Sequence, residues 1–157
     1  MNPELLTAEP GRVFEGRPRR LTWARALALS GGPFDVPGWP EKNLHTDADA
    51  ARDAGLSEVV VSGTQWEGYL VGLLVELFGE AWMQQGHLDI KIPRSVKIGE
   101  TIQPRARLDG RERAEGGVRL TLGVWCENQD AQQVMVGTAS CLVPDAMPEA
   151  ARPRSAC

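Results

Sequence analysis

The chain has 157 residues, 42% of them apolar and 24% charged, with a formal charge of −4. That length suits one domain with a substantial core, and a net acidic chain without a long basic block is a poor partner for nucleic acid or an anionic membrane surface. No apolar run approaches the roughly 20 residues that cross a bilayer, and the N-terminus lacks the charged start and apolar stretch of a signal peptide, so the cytoplasm is the expected location.

Residues 1–11 contain Pro3, Pro10 and Gly11 without periodicity and read as a loosely packed tail. A basic run at Arg17–Arg20 reads either as a solvated face or as a patch for an anionic ligand. The stretch Leu21–Leu29 predicts a short helix closed by Gly31-Gly32-Pro33, followed by a surface loop to Pro40 rich in proline and glycine. Asp47 or Asp49 can start a second short helix running through Ala54 and stopped by Gly55. After a brief extended piece at Val59-Val60-Val61, Ser62 is a natural N-cap for a helix over Thr64–Phe78. That helix is apolar on nearly every side, so something must wrap round it, and Gly68 and Gly72 leave a narrow face for close approach. Trp82 to Gly86 reads as a connector.

The remainder is β. Leu88, Ile90 and Ile92 alternate on one face, as do Ile102, Ala106 and Leu108, with Asp109-Gly110 opening a polar bend. Val118, Leu120, Leu122, Val124 and Cys126 form a period-two stripe; Asn128-Gln129-Asp130 turns the chain into a last strand over Gln133–Val143. A second basic set, Arg105, Arg107, Arg111 and Arg113, is again a solvated face or an anion patch. The cysteines Cys126, Cys141 and Cys157 are an odd set without metal-type spacing beside only two histidines, so neither a disulfide framework nor a bound metal is expected. Residues 144–157 read as a second tail. One long buried helix followed by four strands suggests an α+β fold, a curved antiparallel sheet round a central helix.

Chemistry gathers between Asn43 and Leu77. His45 can move protons, and the N–H groups at a helix start, beginning with Gly63, can bind an oxygen that gains charge. The segment Asn43-Leu44-His45-Thr46-Asp47, then Ala50 or Ala51, Gly55-Leu56, Ser62-Gly63 and Tyr69, resembles the MaoC-like hydratase/dehydratase family. The turn Ile92-Pro93-Arg94-Ser95-Val96-Lys97-Ile98-Gly99-Glu100 resembles that family's strand–turn–strand signature after the central helix. The likeness covers roughly residues 20–143 and implies a single hot-dog domain over 12–143. It implies R-specific addition or removal of water on acyl-thioesters, with no metal and no cofactor beyond the coenzyme A carried by the substrate. Homodimers or larger assemblies, homomeric or heteromeric, would share sites across an interface.

By position the resemblance makes His45 the acid/base, Ser62 the small polar residue beside it, and Gly63 the N–H donor to the thioester carbonyl. The family's catalytic aspartate precedes the histidine by five residues, and Pro40 stands there in this chain. Glu41, Asp47 and Glu67 are candidate replacements. Asp47 otherwise caps a helix, and Glu67 otherwise complements a helix dipole. Trp39, Trp66 and Tyr69 either line an acyl pocket or pack in the core; Asn43 belongs to the polar knot before the helix and is a candidate substrate contact. Arg94 and Lys97 either meet coenzyme A phosphates or are surface charges. Three functions compete: a hydro-lyase using His45, a hot-dog thioesterase using Glu67, and a binding subunit that is not catalytic alone.

Overall fold

The computed structural model describes residues 1–145. Its backbone of support is α4 (Gly63–Phe78), a helix whose Trp66, Leu70, Leu73, Leu74, Leu77 and Phe78 are buried. These side chains recur at the three- and four-residue spacing that builds one helical face. They pack on the inner face of an open antiparallel sheet built from β1 (Val13–Glu15), β2 (Arg19–Arg20), β3 (Gly86–Lys91), β4 (Thr101–Ala114), β5 (Gly117–Glu127) and β6 (Gln133–Pro144). The strand order is β1-β4-β5-β6-β3, and β2 also pairs with β4.

Register explains why the sheet fits a helix. Leu108, Leu122, Ala139 and Leu88 stand in one cross-strand row, and Ala106, Val124, Gly137 and Ile90 in the next. Both rows point inward and mix bulky with small residues, so the rows interdigitate with the helix instead of holding it off. The opposite face carries arginines with local partners. Arg105 pairs with Glu15 and Glu127, Arg107 with Asp109, and Arg113 with Asp145. Arg111 donates to the carbonyls of Leu5, Leu6 and Ala8. This second basic set is therefore internally occupied, not a patch awaiting an anion.

Three expectations are corrected. Residues 1–11 are no loose tail: α1 (Pro3–Thr7), capped by Asn2, puts Leu5 at 0% exposure, and the Asn2 N–H donates to the Leu77 carbonyl at 2.8 Å. Trp82–Gly86 is largely helical, within α5 (Glu80–Gln85), because Trp82 stacks on Phe78 with ring centroids 5.9 Å apart. Asp109-Gly110 is not a turn; the ladder skips a residue there as a bulge and β4 runs on to Ala114. The hairpin closes instead at Glu115-Gly116, where Gly116 has φ +83°. The face marked by Gly68 and Gly72 is open in the single chain: a Cβ at either would meet no atom within 4 Å. The predicted tail at 144–157 lies outside the described residues from position 146 onward, and Pro144 itself closes β6.

Two short helices precede the core helix. α2 (Trp23–Ser30) has Thr22 as its cap, and α3 (Ala48–Asp53) is started by Asp47. Between and after them run the segments that carry His45. Among the described residues no helix is long and apolar enough to cross a membrane, and no group of three or more His, Cys, Asp or Glu is placed to hold a metal ion.

Candidate active site

The polar knot Asn43–Asp47 is held by its own side chains. Asn43 Oδ1 accepts the N–H of His45 at 2.9 Å, while its Nδ2 donates to the Ser30 carbonyl at 2.7 Å. The buried Thr46 hydroxyl donates to the Glu41 carbonyl at 2.5 Å and accepts the Asn43 N–H at 2.9 Å. Asp47 Oδ1 accepts the N–H groups of Asp49 and Ala50, starting α3. These bonds fix the backbone on both sides of His45. Asn43 thereby fixes the backbone at His45.

The imidazole of His45 is half-buried, and its Nδ1 lies 2.8 Å from the Val60 carbonyl oxygen. A carbonyl can only accept, so Nδ1 carries the proton and Nε2 is left with its lone pair in the neutral ring. Val60 stands two residues ahead of Ser62, the cap position of α4, and the Val61 N–H donates to the Val96 carbonyl at 2.8 Å. One hydrogen bond therefore ties the histidine to the entry of the core helix. The turn after β3 holds that entry from the other side. Sequence reasoning missed Val60, since a backbone acceptor has no residue signature.

The helix start is poorly capped. Ser62 Oγ pairs with Thr64 Oγ1 at 2.8 Å and gives no side-chain cap bond to the helix. Among the described residues the N–H of Gly63 has no acceptor. Gly63 is closely approached: a Cβ there would lie 2.5 Å from Cδ1 of Ile92, the far end of a flexible and exposed side chain. An imidazole with a free Nε2, fastened beside a helix start with a free N–H, can remove or return a proton while an oxygen is held by the amide.

The carboxylates fall elsewhere. Among the described residues none pairs with His45. The two Ala50 and Asp49 backbone bonds and the Lys42 ammonium, 3.6 Å away, hold Asp47 below the usual carboxylate range, with the Ala50 N–H the largest influence. Its occupied oxygens make it a helix cap. Glu41 is exposed, with its Oε2 over Gly32 in the Gly31–Trp39 loop. Pro40, joined to Trp39 by a cis peptide, has no group to offer. Glu67 is half-buried on α4 without a hydrogen-bond or ion-pair partner among the described residues.

The aromatic candidates divide. Trp39 Nε1 donates to the Gly32 carbonyl at 3.1 Å and its ring lies 5.0 Å from Phe34, so it folds its own loop. Trp66 is buried beside Gly63, with one ring carbon 3.9 Å from where a Gly63 Cβ would stand. Tyr69 is half-buried; Gln65 Nε2 donates to its hydroxyl at 3.3 Å and the Arg19 guanidinium lies 5.8 Å from its ring. It lines a small cavity of about 90 Å³ with Arg17, Arg19, Gly68, Gly72 and Glu76. Arg94 is exposed. Lys97 pairs with Glu58 at 2.5 Å, which raises its pKa, and shares its rim with Glu100 and Asp130. An acidic rim is unfavourable for a phosphate.

A six-stranded open antiparallel sheet curved round one long helix is the hot-dog fold. The chain is similar to the MaoC-like dehydratase from Rhodospirillum rubrum, with a TM-score of 0.71 and 21% identity, covering 92% of this chain and 98% of that one. It is similar to the monoamine oxidase regulatory protein from Archaeoglobus fulgius, with a TM-score of 0.71 and 19% identity over 91% and 95% of the two chains. A third likeness is to the R-hydratase PhaJ1 from Pseudomonas aeruginosa, at 0.67 and 16%, over 98% and 95%. Identities this low establish the shared fold. No protein-family model matches the sequence, and no curated protein matches it.

Proposed function

We propose that the protein is a hydro-lyase, a hydratase or dehydratase acting on an acyl-CoA thioester or a related conjugated carbonyl compound. The observation that carries this reading is the 2.8 Å bond from His45 Nδ1 to the Val60 carbonyl, which frees Nε2 beside the start of α4. In hydration, Nε2 takes one proton from water as the water oxygen bonds to the β-carbon. The electrons shift onto the thioester oxygen, where the Gly63 N–H receives the charge. The imidazolium then returns its proton to the α-carbon, so the water is added across the double bond and the enzyme is unchanged. Each well-placed group of this kind contributes on the order of 10²–10⁴ in rate. Ser62 borders the site, and Trp66 supports the apolar wall where the acyl chain enters.

β3 leaves one edge of the sheet unpaired among the described residues, and such an edge is a template for a second chain. This supports a homodimer or larger assembly. A heteromer is the variant in which a partner supplies the carboxylate that no described residue offers to His45.

Crotonyl-CoA hydration, followed as loss of the conjugated thioester's absorbance and repeated with longer acyl chains, tests the reading. Turnover by the folded protein that drops about 10²–10⁴-fold in His45→Ala is the expected result. A folded wild-type protein inert toward every chain length would overturn it. The unpartnered, half-buried Glu67 favours a second reading, a thioesterase. Release of free thiol that disappears in Glu67→Ala but survives in His45→Ala would select that one.

A further inference from the structure

Three buried polar side-chain atoms lack a hydrogen bond among the described residues: Gln65 Oε1, Trp66 Nε1 and Arg105 Nε. The last is accounted for, since it lies 2.7 Å from Glu127 Oε1 in an ion pair. Trp66 is different. Its residue is 1% exposed, so neither solvent nor any described residue serves the indole N–H. Buried donors without an acceptor are rare in folded proteins, and a ligand site is one of the few reasons to keep one.

The location of this N–H is informative. Helical side chains lean toward the N-terminus, so a residue one turn into a helix covers the first turn. Trp66 does so: its Cζ2 lies 3.9 Å from the position of a Gly63 Cβ. Cζ2 is bonded to the ring carbon that carries Nε1, so the free N–H stands two bonds from the ring atom nearest Gly63. The same Gly63 position is crowded by Ile92 Cδ1, at 2.5 Å. Ile92 follows β3, precedes Pro93 and is 47% exposed, so its side chain has solvent to turn into.

We propose that Trp66 is a second oxyanion donor, its Nε1–H binding the substrate's carbonyl oxygen beside the N–H of Gly63, in the space that the Ile92 side chain fills in the free protein. This rests on the hydro-lyase reading and names a catalytic residue for it. An indole can donate and cannot accept. It therefore favours an oxygen gaining negative charge, and in a buried setting that preference is strengthened by the low dielectric. A full-sized aromatic ring at this position also keeps water from the first turn, which a smaller donor would not.

The test uses the full chain, labelled with ¹⁵N at the tryptophan indoles, and crotonyl-CoA as the probe. Trp66→Phe identifies the Trp66 indole resonance by its loss and removes the donor while keeping a ring. Adding saturating crotonyl-CoA should shift that resonance, and Trp66→Phe should lower kcat about 10²-fold with KM changed less than about threefold. A resonance unmoved in a protein that binds and hydrates crotonyl-CoA, or a kcat within about threefold of wild type, overturns the role of Trp66 and leaves the hydro-lyase reading intact. A wild-type protein that neither binds nor hydrates the thioester removes both. Should Trp66→Phe fail to fold, assignment through the remaining Trp23, Trp39, Trp82 and Trp125 variants leaves the wild-type titration decisive.

Discussion

The two ends of α4 are built for different purposes. At its C-terminal end the Gly79 N–H closes on the Val75 carbonyl, the Asn2 N–H on the Leu77 carbonyl, and Phe78 is buried against Trp82. At its N-terminal end Ser62 gives no cap bond, the Gly63 N–H has no acceptor among the described residues, and a buried indole N–H stands idle nearby. Orphan groups at a helix terminus are normally satisfied by caps, side chains or water. Here one terminus is tied down by Gly79 and by Asn2 near the start of the chain, and the other leaves the Gly63 N–H and the Trp66 indole unused among the described residues. The fastened end supplies rigidity, and the open end is where a ligand oxygen gains most.

The contrast can be broken at the closed end first. Phe78→Ala should cost about 3–5 kcal/mol in denaturant unfolding, the range for losing a large aromatic from a packed core. Activity per folded molecule should change far less. Gly63→Ala should cost no more than about 1 kcal/mol, because the atom it meets is the far end of the exposed Ile92 side chain, which can turn away. The double change with Ile92→Ala should recover most of that loss. Additive losses in the cycle would deny the contact.

Burial pushes the Cys126 thiol up to about 12 and the Cys141 thiol up to about 11 from a usual 9.0. Between pH 9 and the folded values the unfolded chain gives up protons that the folded one keeps. Stability should therefore fall as pH rises above about 9, by on the order of 1 kcal/mol per unit for each buried thiol. Cys126→Ala should flatten the slope when unfolding is compared at several alkaline pH values. The smallest effect belongs to Asp47. Its carboxyl is lowered, so its contribution is present above the ordinary range and is lost as pH falls through the lower folded value. Asp47→Ala should depress the thermal midpoint slightly at neutral pH, and the gap should close in acid.

What was legible in the sequence followed from periodicity. The helix read over Thr64–Phe78 and the stripes of β4, β5 and β6 span enough residues for a pattern to repeat. α1, α5, β1 and β2 are two to six residues long, too short for any period, and Leu5 owes its burial to docking on α4 and Arg111. The bulge beside Gly110 looked like a turn because glycine serves both. His45 and Gly63 could be picked from residue type and order. Val60 could not, because any residue offers a carbonyl, and neither could the idle indole of Trp66, since an unpartnered group is visible only once its neighbours are placed.

Nitrogen-15 spectroscopy of the imidazole of residue 45 bears most directly on all of this. The account requires the proton on Nδ1, held by the Val60 carbonyl, and an unprotonated Nε2 whose signal moves when a thioester binds. A ring protonated on Nε2 instead would mean that the histidine is not fastened to the helix entry, and the proposed chemistry would have no base.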